Sequence, residues 1–138
     1  AEVILFMLMH RVLPAVGEHR LMLWSLALSA VRWLMIGYGV DYPAVIWSAQ
    51  LLHAASFATF HAAAMTLIYR HFGQGSQGQG QAVYSMLWGT GVALGAWAAG
   101  TVWSVASAPV IFLIAAVLCV AALGLLGSGR EHGSVARI

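Results

Sequence analysis

Apolar residues run along this chain in long blocks, broken by short polar or glycine-rich stretches. A helix that crosses a bilayer needs about 20 mostly apolar residues. Four blocks meet that length: Leu21 to Gly39, Ala44 to Tyr69, Ala82 to Val105 and Ala108 to Gly127. A fifth, Ala1 to Leu13, is too short alone and reads as the end of a helix that begins upstream. The pattern therefore predicts helices over 1–13, 20–40, 43–70, 81–105 and 108–127, with 128–138 as a tail. Pro43 and Pro109 fall in expected first turns, where a missing N–H costs nothing. Pro14 falls in an expected loop, so no proline is expected inside a span.

Composition narrows the class. The chain is 62% hydrophobic and 7% charged, with a mean hydropathy of +0.87. A soluble domain carries about 25% charged residues, so this chain lacks the polar surface to cover itself in water. An all-α membrane protein is the expected fold class. The single cysteine, Cys119, lies in an apolar run, which excludes an intrachain disulfide and a cysteine-based zinc site. The chain opens without Met inside an apolar run, with neither a basic n-region nor a cleavage site, and is expected to be a piece of a longer protein.

The charges orient the spans. Arg11 and Arg20 bracket the first loop, Arg70 opens the loop HFGQGSQGQGQ, and Arg130 and Arg137 lie in the tail. The alternating loops, YGVDYP and SAP, carry no Lys or Arg and one acid, Asp41. By the positive-inside rule, loops 11–20 and 70–81 and the C-terminal tail are expected in the cytoplasm. Tyr38, Tyr42, Trp47 and Trp103 would mark the outer membrane edge, and Trp24, Tyr69 and Tyr84 the inner one. The glycine–glutamine loop reads as a solvated linker; no Lys-Ser or Lys-Thr follows it, as a phosphate-binding loop would need. In the next span Gly91 and Gly95 form a GxxxG pair, and Ala96 with Gly100 continues the small-residue spacing, which implies close packing on another helix.

Four ionisable side chains fall at depth: Glu2, Arg32, His53 and His61. Such groups are costly in a bilayer and usually face a bundle interior or a wet cavity. At about 1.5 Å rise per residue, Glu2 lies about 14 Å, and Arg32 about 18 Å, from the cytoplasmic edge. His53 lies about 15 Å from the outer edge of a core about 30 Å thick. An acid, a guanidinium and an imidazole on three successive helices thus fall near one level. His61 lies about 12 Å deeper toward the cytoplasm. Gln50, His53, Phe57, Phe60 and His61 follow 3–4 spacing and share a helix face amid alanines, as a cavity wall would. His53 and His61 are too far apart to share a metal, and no metal site is expected.

The stretches AEVILFMLMHRVL, LALSAVRWLMIG, QLLHAASFATFHAAAM and GQGQAVYSMLWGTGVALGAWAAG together resemble the C-terminal half of major facilitator superfamily transporters. They are most similar to lactose-permease-like proton symporters, in the branch of the 3-phenylpropionate transporter and the nucleoside–proton symporters. The resemblance implies helices eight to twelve of a twelve-helix carrier, the missing N-terminal helices being partners from the same protein. It implies substrate and proton-coupling roles for Glu2, Arg32 and His53, with Gln50, Ser56, Phe57 and His61 as cavity lining. Ser56 departs from the pattern, because lactose permease carries a proton-binding glutamate at the matching position. A serine cannot release a proton at physiological pH, so the proton site is expected elsewhere: Glu2, a histidine, or a residue outside this chain.

The expected function is proton-coupled symport of a small organic solute, such as the aromatic acid phenylpropionate, by alternating access. No enzyme activity and no cofactor beyond the coupling proton are expected. The expected partners are the solute, the proton and the lipid bilayer, not nucleic acid, and the expected location is a bacterial inner membrane. The alternative is a non-transporting membrane scaffold, for which the GxxxG pair speaks.

Overall fold

The computed structural model describes residues 2–73 and 75–135, and the side chains of 3–73 and 75–128. Five helices follow one another: α1 (Glu2–Val16), α2 (Glu18–Gly39), α3 (Pro43–His71), α4 (Gln77–Trp103) and α5 (Ala108–Val135). The chain is an all-α bundle, with no strand among the described residues. α2, α3 and α5 (to Ser128) are long and apolar enough to cross a bilayer. α4 has the length, but its Gly, Ser, Thr and Tyr residues dilute its apolar character, so the fourth expected span stands on length alone.

α2 is the centre, with α3 on one side and α5 on the other. α2 and α3 pack on each other, and the buried positions of both are mostly small side chains. Ser25 and Ala30 on α2, and Ala49, Ala54, Ser56, Ala58, Thr59, Ala63 and Ala64 on α3, are buried. Small residues let helix backbones approach closely where lipid supplies no hydrophobic drive for association. Toward α5, a Cβ built on Gly37 would lie 2.9 Å from the Phe112 Cβ, so glycine is required by proximity there. Trp33 stacks on Phe112 beside it, with ring centroids 5.8 Å apart. The large apolar side chains, among them Trp24, Leu34, Trp47, Leu51 and Leu125, point outward. That inversion suits an apolar solvent.

Several helix ends depart from the sequence expectation. α1 runs through Pro14 to Val16, where a loop was expected. Pro14 withholds only the one N–H that would reach the His10 carbonyl, a loss that membrane helices tolerate. The break comes at Gly17 instead, whose φ of 85° lies in the left-handed region open to glycine. The expected linker is also shorter, because α4 starts at Gln77. Gly80 seats that first turn against α3: a Cβ on it would be 2.7 Å from Ile68 Cγ2 and 2.8 Å from Phe72 Cδ2. Gln81 Nε2 donates to the Tyr69 hydroxyl at 2.7 Å, and Arg70 of α3 pairs with Glu18 of α2 at the same end. α5 continues to Val135, where a tail from 128 was expected; residues 136–138 lie outside the described ones.

α4 leaves the bundle beyond Trp88. Nearly every residue from 89 to 103 is exposed, and nothing lies within 4 Å of a Cβ built on Gly91, Gly95 or Gly100. The packing expected of these glycines has no counterpart among the described residues. Gly95 instead borders an apolar groove of about 160 Å³ between α4 and α5, with Ala98, Val102, Ile111, Ile114 and Leu118.

Candidate functional site

Three helices enclose a cavity of about 190 Å³. α2 supplies Ser25, Leu26, Ser29 and Arg32; α3 supplies His53, Ser56, Phe57, Phe60 and His61; α4 supplies Trp88. On α2 the polar members recur at i, i+4 and i+7, and on α3 the lining recurs at i, i+3, i+4, i+7 and i+8. Each set is one face of a 3.6-residue helix. The alanines of α3 hold α2 close, so these two polar faces meet instead of opening onto lipid.

Arg32 is the strongest charge in the cavity. Its guanidinium lies 3.8 Å from the centre of the Trp33 ring, a cation–π geometry that anchors one side of the fork. Its Nε is buried and has no hydrogen-bond partner among the described residues. A buried donor without an acceptor is costly, so an anionic ligand at this place would gain from filling it. The serine hydroxyls are turned to their own helices. Ser25 donates to the Met22 carbonyl at 2.7 Å, and Ser56 to the His53 carbonyl at 3.1 Å. Their oxygens keep lone pairs, so both can still accept a hydrogen bond.

The wall toward α4 is aromatic. The His61 ring lies 4.1 Å from Phe57 and 4.5 Å from Trp88, centroid to centroid, the second contact T-shaped. Tyr84 stands edge-on to His61 at 5.8 Å and stacks on Trp88 at 6.3 Å. Phe60 closes the group, 6.1 Å from His61 and 6.2 Å from Trp88. His53 meets the same group through Phe57, at 5.7 Å. The Tyr84 hydroxyl is buried without a partner among the described residues.

Of the residues singled out from sequence, Arg32, His53, Ser56, Phe57, Phe60 and His61 line this one cavity. Gln50 shares their face by spacing but is exposed, a turn outside the cavity. Glu2 begins α1, and its side chain lies outside the described residues. Gly91, Gly95 and Gly100 stand away from the cavity. Sequence reasoning passed over Ser25 and Ser29, which Arg32 would have revealed by counting back seven and three residues along α2. It also gave Trp88 no role and took Tyr84 for a membrane-edge marker. Both belong to the aromatic wall. Among the described residues, no three of His, Cys, Asp and Glu come together as a metal site would require.

A model of the MFS_1 like family matches residues 1–114, from α1 through α4 and into the first turns of α5. Neither the curated proteins nor the solved structures give a match to the chain.

Proposed function

Because the chain belongs to the MFS_1 like family, within the major facilitator superfamily of membrane carriers, we propose that it forms part of a proton-coupled symporter for a small aromatic acid such as phenylpropionate. The observation that carries this reading is one cavity holding a guanidinium, two imidazoles and a set of aromatic rings, on helices apolar enough to span a bilayer. Arg32 would take the carboxylate through its forked donors, including the buried Nε. Phe57, Phe60 and Trp88 would take the ring of the acid, since aromatic rings favour offset and edge-on contacts with one another. His53, next to Phe57, and Glu2, on the helix that packs against α3, are the further candidates for substrate and proton contacts.

Transport follows from alternating access. Two halves of a carrier rock around a midplane site while a titratable group changes its exposure and its proton. Ser56 cannot be that group, because a serine hydroxyl does not ionise near neutral pH. The test is uptake of phenylpropionate by the full-length protein, with Arg32→Ala and His53→Ala compared at equal membrane levels. We expect Arg32→Ala to lose at least about tenfold in uptake, the loss of a charge-assisted contact. His53→Ala is expected to lose less. Unchanged uptake and coupling in both variants would reject the site.

A further inference from the structure

Resting on that reading, we propose that His61 is the residue that takes up the coupling proton, and that it does so because an organic anion neutralises Arg32 in the same cavity. His61 Nδ1 lies 3.2 Å from the Phe57 carbonyl oxygen. A carbonyl oxygen only accepts, so Nδ1–H is the donor, and the neutral ring keeps its lone pair on Nε2. A proton can therefore add at Nε2 and leave again without breaking the bond that orients the ring. The imidazolium so formed is flanked by Phe57, Trp88, Tyr84 and Phe60, and a ring that turns its π face to the cation replaces part of the water it would otherwise need.

The neighbouring charges give the coupling its sign. α2 contributes Arg32 to the cavity, with the neutral Ser25 and Ser29. α3 itself contributes His53, and α4 contributes Tyr84 at the edge of the ring. α1 packs on α3, but its His10 and Arg11 are exposed and outside the cavity; the side chain of Glu2 lies outside the described residues. Glu18 and Arg70 pair with each other at the helix ends, and His71 is exposed beside them. Arg32 thus shares the cavity with His61 as its guanidinium charge, and it opposes a proton there. A carboxylate on Arg32 removes the opposition. Linkage is reciprocal, so the proton must strengthen anion binding by the same factor that the anion strengthens proton binding. Two like charges sharing one small, partly polar cavity are coupled by roughly tenfold. Neither proton nor anion need travel alone, and the loaded cavity gains no net charge over the empty one.

The experiment uses purified full-length protein in lipid nanodiscs, with 3-phenylpropionate as the probe. Its affinity is measured at about pH 6 and about pH 8, either side of ordinary histidine titration. Proton uptake on binding is followed in weak buffer with an indicator dye. The wild type should bind roughly tenfold tighter at the lower pH and take up protons as it binds. His61→Phe, which keeps a ring between Phe57 and Trp88, should bring the affinity ratio close to one and abolish the proton uptake; His61→Gln serves the same purpose if the first variant does not fold. If the ratio and the proton uptake persist in the His61 variants, His61 is not the proton site, and the transporter reading stands without it. If the wild type fails to bind the probe at both pH values, the aromatic-acid reading falls and this inference falls with it.

Discussion

The contact of α2 with α3 and the outer half of α4 are made of similar material. Both are rich in small residues at three- and four-residue spacing, alanine and serine in the first and glycine and alanine in the second, and such surfaces allow close helix packing. Yet Ala49, Ala58 and Ala63 on α3 are completely buried, whereas Gly91, Gly95 and Gly100 on α4 meet nothing within 4 Å. Small residues permit approach; they do not compel it. What differs is the company they keep. The α2 and α3 faces carry Ser25, Ser29, Arg32, His53, Ser56 and His61, polar groups that would be costly against lipid. α4 carries only Tyr84 and Trp88 toward that site, and past them nothing polar enough to hold it inward. Polar side chains thus select which small-residue surface is closed within this chain.

That contrast can be broken by enlarging one residue at a time and reading the unfolding midpoint of the full-length protein in detergent. The largest effect is expected for Ala58→Leu, which forces a branched side chain into a fully buried position; overpacking of this kind costs about 1–3 kcal/mol. Gly37→Ala comes next, at about 1 kcal/mol, because its new methyl meets Phe112 at the Cβ, which cannot swing away as a ring tip can. Glu18→Gln, which unpairs Arg70, should cost less than about 1 kcal/mol and less still in high salt, since Arg70 is largely exposed. Gly95→Ala should fall within about 0.5 kcal/mol of the wild type, with the better helix propensity of alanine tending to stabilise. A loss at Gly95 as large as that at Gly37 would sharpen the comparison differently: α4 would then be packed against a surface that these residues do not supply.

The helices were legible because long apolar blocks and their punctuation need no knowledge of packing. That Arg32 and His53 could reach one cavity was legible too, since rise per residue is nearly constant. Rotation was not. In a water-soluble helix the apolar stripe marks the inward face, but here lipid-facing and bundle-facing sides are both apolar, and only polar or small residues carry the phase. Gln50 illustrates the limit: it is in phase with His53 and Phe57, yet the cavity closes before its turn. Trp88 illustrates the converse, a residue with the composition of a lipid contact that stands 4.5 Å from an imidazole. Pro14 inside α1 and the early start of α4 at Gln77 were hidden for a local reason. Gly17 and Gly80 decide those boundaries by what they allow nearby, a left-handed turn in one case and contact with Ile68 and Phe72 in the other.

The central claim is that the faces of α2 and α3 line a water-accessible, substrate-occupied cavity. The most direct measurement places a cysteine at Ser29 or at Gly95 in an otherwise cysteine-free full-length protein, with Cys119 replaced by Ser. Each is labelled with a charged, membrane-impermeant thiol reagent in inside-out and right-side-out vesicles, with and without 3-phenylpropionate. Ser29→Cys should react in at least one vesicle orientation and be slowed several-fold by the acid, as a residue beside Arg32 would be. Gly95→Cys, on the apolar α4–α5 groove, should stay unreactive. A Ser29→Cys that resists the reagent from both sides, or reacts at a rate the acid does not change, would contradict the account.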